Sequence, residues 1–280
     1  MHDLASYNGQ IVAADAISLP ALSAAALYGK GVFTTLPIYD GTKDDWWYEH
    51  WLRLSRDARK LGLDISSLDL GEIALWIDEL VRENRVGDGR ARVTFFDEGP
   101  TGLWPAGLSA GTSVLITTDS RHRVSDYFKL TVSPFTLNSS SPLAGVKSCN
   151  YLEKILAKNE ARARGFDECI QLNERGEVVS AAMANVFWLK GDQLFTPSLA
   201  TGCVPGTTRL MALEFTDCRE VETGLAELQS ADVIFLTSAG LGVVQVAELD
   251  GRLLNRDKYA ELTRMLVRFG GHKNTRNRFE

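Results

Sequence analysis

Four cysteines and four histidines are all that 280 residues offer to a metal or a disulfide framework. Cys149, Cys169, Cys203 and Cys218 lie far apart and never form a C-x-x-C pair. The histidines do not gather near them, which argues against a zinc site. Reduced thiols and a cytoplasmic location are the expectation. No apolar run reaches the roughly 18 residues that a spanning helix needs, so no membrane is expected as a partner. Met1-His2-Asp3 lacks the basic start and apolar stretch of an export signal. Positive charge is not in excess either. Lys and Arg number 30 against 36 Asp and Glu, a net charge of −6, which argues against a nucleic-acid partner. The locally basic end, with Arg264, Arg268, Lys273, Arg276 and Arg278, reads as a solvated helix and tail. There is no G-x-S-x-G elbow and no Walker A sequence, and Gly240-Leu241-Gly242 lacks the third glycine of a dinucleotide fingerprint. Hydrolase, nucleotide-triphosphatase and Rossmann readings lose their usual support.

What remains is an ordinary globular composition, 45% apolar and 24% charged, in a chain long enough for two modest domains. Tyr7 to Val12 reads as strand, Asn-Gly turn, strand. A short helix is expected over residues 18–28, stopped by Gly29, and a strand over Gly31 to Tyr39, stopped by Asp40-Gly41. Helical spacing of apolar residues covers 50–61 and 70–84, and strands follow over 90–96 and 112–117. The stretch Leu137 to Gly145 is small, polar and broken by Pro142, as a linker would be. Beyond it, residues 151–164 form an amphipathic helix with Leu152, Ile155, Leu156 and Asn159 on one side. Strands are expected over 168–172, 185–190, 193–195 and 234–236. The expectation is a mixed α/β (α+β) protein of two domains, 1–138 and 139–280.

Lys147 stands between that small-residue stretch and the helix, beside apolar Val146. A lysine there is either a solvated helix-start residue or, if partly buried, an amine of lowered pKa free to form a Schiff base. Gly202 to Arg209 supplies glycine-freed backbone and the hydroxyls of Thr207 and Thr208 just before a helix. Thr237-Ser238-Ala239-Gly240 is a second small, hydroxyl-bearing turn at a strand end. Each is an ordinary capped turn when read alone. With a lysine and an arginine nearby they would make a phosphate cup. Trp46, Trp47, Tyr48 and Trp51 either wall a pocket or pack a core. Arg92, Arg121 and Arg123 either meet a substrate carboxylate or lie on the surface.

In order along the chain, these segments resemble the class IV aminotransferases, the fold type IV pyridoxal-phosphate enzymes. That group includes branched-chain and D-amino-acid aminotransferases and aminodeoxychorismate lyase. Gly29-Lys30-Gly31-Val32-Phe33 resembles the family's G-D-G-V-F segment, with lysine in place of aspartate. His50-Trp51-Leu52-Arg53-Leu54 resembles its H-x-x-R-L helix, which makes Arg53 a ligand of the cofactor phosphate. Lys147-Ser148-Cys149-Asn150-Tyr151 resembles K-x-x-N-[YL], which makes Lys147 the Schiff-base residue and Tyr151 a neighbour of the ring hydroxyl. Gly165-Phe166-Asp167-Glu168, Ala184-Asn185-Val186-Phe187 and Pro205-Gly206-Thr207-Thr208-Arg209 resemble further family motifs, the last of them phosphate-binding. Thr237-Ser238-Ala239 aligns with the final phosphate and carboxylate turn, which brings in Ser238 and Ala239. The resemblance implies a two-domain fold like that of D-amino-acid aminotransferase, pyridoxal 5′-phosphate as cofactor, an amine or amino-acid substrate, and a homodimer.

One departure stands out. Members carry a glutamate about thirty residues after the lysine, whose carboxylate keeps the pyridine nitrogen protonated. Here Ser180 holds that place (180 − 147 = 33). Serine supplies no negative charge for a pyridinium. Glu177 would be the acid only if the strand were read three residues out of phase. A neutral ring is a weaker electron sink, which penalises transamination more than elimination and leans the reading towards an aminodeoxychorismate lyase-like reaction. The alternative is a family member that binds the cofactor, or a related phosphate, without turnover.

Overall fold

A computed structural model describes residues 1–100, 111–121 and 124–255; Arg123 and the basic end of the chain lie outside the described residues. The chain divides into two units. Among the described residues, one takes in 1–121 and Val146–Asn150, the other 124–145 and 151–255. The first crossing thus comes ahead of the linker-like stretch, because the strand at 128–132 pairs within the second sheet, and five residues then return to the first unit.

In the first unit, strands β1 (Leu4–Tyr7), β2 (Gln10–Ala13), β3 (Gly31–Tyr39), β4 (Thr42–Lys43), β5 (Gly89–Phe96) and β6 (Ser113–Ser120) form an antiparallel sheet in the order β2-β1-β6-β5-β3-β4. The β1–β2 turn places Asn8 and Gly9 at φ 49° and 83°, the left-handed pair that a two-residue hairpin demands. The helix expected from residue 18 begins only at Ala24 (α1, Ala24–Tyr28). Pro20 precedes it, and Ser23 caps it by accepting the Ala26 N–H at 3.1 Å. Helices α2 (Trp47–Lys60) and α3 (Leu70–Glu83) cover one face of the sheet. Leu54 and Ala58 of α2 and Ile73, Ile77 and Leu80 of α3 pack with Val32, Leu36 and Ile38 of β3. Each large aliphatic side chain buried there contributes about 1.5–3 kcal/mol. Trp47 belongs to this core and Trp51 packs against it, so these two serve packing, while Tyr48 is exposed.

The second unit holds β7 (Phe128–Val132), β8 (Glu168–Leu172), β9 (Val178–Ala181), β10 (Asn185–Lys190), β11 (Gln193–Pro197), β12 (Cys218–Val221), β13 (Val233–Ser238), β14 (Gly242–Leu249) and β15 (Arg252–Leu253). Their path is β12-β11-β10-β13-β14-β7-β8-β9, with β15 paired to β14. Among the described residues three α-helices accompany it: α4 (Leu152–Ala163), α5 (Thr207–Phe215) and α6 (Leu225–Gln229). The phenyl rings of Phe187 on β10 and Phe235 on β13 stack at 5.2 Å and pack with Ala212 of α5. That contact sets the start of α5 beside the two strands. On α4 the small residues Ala157 and Ala161 are buried, while Leu152, Ile155 and Leu156 are exposed. Gly240-Leu241 closes the β13–β14 hairpin, in which Ser238 pairs with Gly242.

Candidate active site

Lys147 is held on a strap laid against β3. Phe33 N–H donates to the Lys147 carbonyl at 3.0 Å, and Cys149 N–H donates to the Gly31 carbonyl at 2.7 Å. The Lys147 N–H donates to Asp57 Oδ2 at 2.9 Å. Gly31 makes this approach possible. A Cβ there would stand 2.8 Å from the Phe95 carbonyl oxygen and 3.0 Å from Cys149 Sγ. The Lys147 amine lies 4.4 Å from the Phe33 ring centroid, and the Arg92 guanidinium covers the same ring at 3.7 Å. Arg121, the other described arginine considered from the sequence, is exposed.

Beside the strap, α2 turns a polar edge inward. His50, Arg53 and Asp57 are spaced i, i+3 and i+7, which puts them on one helix face, and all three are buried. Arg53 Nη2 donates to Thr34 Oγ1 at 2.7 Å, and Thr34 Oγ1 lies 2.6 Å from His50 Nδ1. A guanidinium only donates, so the proton of this fully buried hydroxyl is satisfied by an accepting Nδ1. That leaves His50 protonated on Nε2. Burial first, and then the charges of Arg53 and Lys147, hold the His50 pKa well below its ordinary value. Lys147 and Arg53, separated widely in sequence, thus share one neighbourhood with His50. Neither His50, Thr34 nor Asp57 was expected as a supporting residue; the i, i+3, i+7 polar spacing on an otherwise apolar face was the available signal.

In the second unit, Gly206 is the N-cap of α5 with Thr207 and Thr208 as its first residues, a helix start of the kind that suits an anion. Asn185 fastens this corner. Its Nδ2 donates to the Val204 carbonyl at 2.8 Å, and a Cβ on Gly206 would overlap its Oδ1. Asn185 also pairs with Thr237 across β10 and β13, which brings the turn at Ser238 and Ala239 towards the α5 start. Arg209 points elsewhere: it donates to the Pro197 carbonyl at 2.9 Å and pairs with Glu220. Ser180 lies on β9 directly opposite Gln171 of β8. Lys154 of α4 donates to Gln171 Oε1 at 3.3 Å and lies 5.9 Å from the Tyr151 ring, so Tyr151 and Ser180 flank one cluster. Glu177 is committed elsewhere, bonded to Asn173 at 2.8 Å and Arg175 at 2.6 Å. Among the described residues no group of His, Cys, Asp and Glu is arranged to hold a metal ion, and no helix is long and apolar enough to cross a membrane.

The amino-transferase class IV family profile matches residues 31–249, a span that contains both of these clusters. The chain belongs to the class IV aminotransferases. It is 30% identical over 267 residues to a putative branched-chain-amino-acid aminotransferase of Methanocaldococcus jannaschii, covering 92% of each chain. It is also 30% identical over 237 residues to the aminodeoxychorismate lyase of Bacillus subtilis, covering 80% of this chain and 79% of that one. A branched-chain amino acid aminotransferase of T.th., solved with pyridoxamine 5′-phosphate, superposes with a TM-score of 0.86 at 22% identity over 96% and 93% of the two chains. The two-sheet α/β architecture is therefore that of the class IV enzymes, and the cofactor of this class IV enzyme is pyridoxal 5′-phosphate. The donor set suits that cofactor chemically. An amine and a guanidinium lie together in one unit; a helix start with two hydroxyls lies in the other. There the buried Thr237 Oγ1 also has no hydrogen-bond partner among the described residues.

Proposed function

We propose that this class IV enzyme catalyses pyruvate-releasing elimination of the aminodeoxychorismate lyase type, with Lys147 as its catalytic residue. The observation that carries the lean is Ser180. It stands where a carboxylate would secure the ring nitrogen, and the nearest acid in sequence, Glu177, is already bonded to Asn173 and Arg175.

Pyridoxal phosphate supplies a carbonyl that condenses with amines and a ring that delocalises carbanion charge. Lys147 would hold that carbonyl through its side-chain amine and would serve as the general base for the proton on the substrate α-carbon. The strap bonds from Asp57, Phe33 and Gly31 fix where that amine reaches. Arg53 balances phosphate charge with forked donors, oriented by Thr34. Thr207, Thr208 and the turn at Ser238 and Ala239 would offer hydroxyl and backbone N–H groups to phosphate oxygens. By the family resemblance, Tyr151 would serve the ring hydroxyl and Ser180 the ring nitrogen. His50, kept neutral, adds no positive charge to compete with Lys147 for protons. The family likeness implies a homodimer acting on a small amine or amino-acid substrate, and the free cysteines suit a cytoplasmic setting.

Amino-group transfer is the second reading, favoured by the fuller coverage of the M. jannaschii aminotransferase. The deciding experiment sets pyruvate release from aminodeoxychorismate against glutamate formation from branched-chain amino acids and 2-oxoglutarate. Pyruvate sustains the lyase. Glutamate alone replaces it with transfer, and neither product from a broad amine panel leaves a cofactor-binding module.

A further inference from the structure

Gln171 is fully buried on β8, and its Nε2 has no hydrogen-bond partner among the described residues. A buried donor left unmet costs about 1–3 kcal/mol, so its retention calls for an acceptor. The orientation of the amide is set by its neighbour. An ammonium only donates, so the contact of Lys154 Nζ at 3.3 Å must be with the carbonyl oxygen of Gln171. That turns Nε2 away from Lys154. The residue directly across the strand pair is Ser180, and opposed residues of antiparallel strands present side chains on the same face about 4.5–5.5 Å apart.

We propose that Lys154, Gln171 and Ser180 form a one-way donor relay that holds the cofactor ring nitrogen as an unprotonated acceptor. This rests on the reading above that Ser180 meets the ring nitrogen. Lys154 donates to the Gln171 carbonyl; the Gln171 Nε2–H, unmet among the described residues, would donate to Ser180 Oγ once the serine hydroxyl donates to the ring nitrogen. A serine hydroxyl alone both donates and accepts, so it would leave the nitrogen's state undecided. Next to a pure donor it accepts and passes its own proton outward. Donors aligned in one sense polarise one another, which strengthens each link.

The surrounding charge agrees. Among the described residues, the ionisable groups around this relay are Lys154, Tyr151, Glu153, Glu168, Lys158, Cys169 and Cys203. Burial lowers the Lys154 pKa, an effect that Glu168 opposes most. Glu168 pairs with Lys158 at 3.3 Å. Burial pushes the Cys169 thiol up to about 12 and raises that of Cys203, so neither supplies a thiolate. The group behind Ser180 is thus an amine where a carboxylate would be needed to stabilise a pyridinium. Gln171 and Lys154 act as positioning residues through Ser180.

The test is the ¹⁵N chemical shift of ring-labelled pyridoxal phosphate bound to the full-length holoenzyme at neutral pH. A neutral, hydrogen-bonded pyridine shift is expected in the wild type. Q171L and K154M should each move it towards an unbonded neutral nitrogen, and S180E should move it to the pyridinium position. K154M keeps the experiment decisive if Q171L fails to fold, because Lys154 sits at a partly exposed helix position. A pyridinium shift in the wild type, or a shift indifferent to both Q171L and K154M, overturns the relay while leaving the cofactor assignment standing. A label that stays at its free-solution shift at every protein concentration overturns the cofactor assignment and the relay together.

Discussion

The main-chain N–H of Lys147 donates to Oδ2 of Asp57 at 2.9 Å, and the two residues are 90 positions apart. Asp57 is almost fully buried and also accepts from Arg56. The carboxylate thus anchors the strap that carries Lys147 to helix α2. Charge-assisted bonds of this kind contribute about 1.5–3 kcal/mol. D57A should lower unfolding stability by about that amount in urea titrations. It should lower kcat more than it weakens cofactor binding, because it frees the strap without touching phosphate donors.

Removing the amine itself is the sharper probe. K147A should retain native circular dichroism and lose the visible cofactor band that borohydride fixes, with turnover falling to background. A variant that still gives a borohydride-resistant covalent adduct would remove Lys147 from the mechanism.

Arg53 is oriented by Thr34 and held on the buried face of α2. R53Q keeps the hydrogen-bonding shape and loses the charge. If the guanidinium serves the phosphate, cofactor affinity should fall roughly 10- to 100-fold, the equivalent of about 1.5–3 kcal/mol. Equilibrium dialysis with pyridoxal phosphate measures this directly, and unchanged affinity would place Arg53 outside the phosphate site.

Two glycines invite the opposite experiment, the addition of a single carbon. G206A would drive a methyl group into Asn185 Oδ1, and G31A would crowd the Phe95 carbonyl and Cys149. Overpacking at such positions costs about 1–3 kcal/mol. G206A should weaken cofactor binding through the α5 start. G31A should instead depress kcat by lifting the strap. Thermal melts and cofactor titrations separate the two.

Asp44 gives a pH signature unrelated to chemistry. Burial foremost, and then the charge of Asp45, raise its pKa from 3.8 to about 7, and its Oδ1 has no hydrogen-bond partner among the described residues. The native state therefore holds a proton that the unfolded chain has released. The stability tied to that proton is complete below pH 3.8, falls as pH rises towards 7, and is lost above it. D44N removes the penalty, so it should raise the urea midpoint at pH 8 and leave it nearly unchanged at pH 4. Equal effects at both pH values would contradict the assignment.

Much of this was legible in the residues. Asn8-Gly9 and Asp40-Gly41 announced their turns because few other residues adopt positive φ cheaply, and each closes a hairpin as expected. The strands at 168–172 and 185–190 fall where the apolar runs placed them. The outward face of α4 was not legible, because Leu152, Ile155 and Leu156 mark a stripe without saying which side meets the sheet. Small Ala157 and Ala161 approach it instead. Lys147 and Arg53 could be named from their motifs. The supporting set of Thr34, His50 and Asp57 could not, since a polar residue on a core face gains meaning only once its partner from another element is in place. Gln171 escaped notice for the same reason, reading as one polar position within a strand.

The return of residues 146–150 to the first unit has a consequence for the order in which the protein is made. Sheet strands β3 and β5 and helix α2 leave the ribosome well before the strap that docks on them. The first unit therefore waits, with Gly31 and Asp57 lacking their Cys149 and Lys147 partners, while the chain begins a second sheet. Closing a loop of this length costs only logarithmically more than closing a short one, but it delays the contact. Nascent chains released just short of residue 146 should hold a folded sheet without Lys147, so docking of the strap is the last event in building the first unit among the described residues.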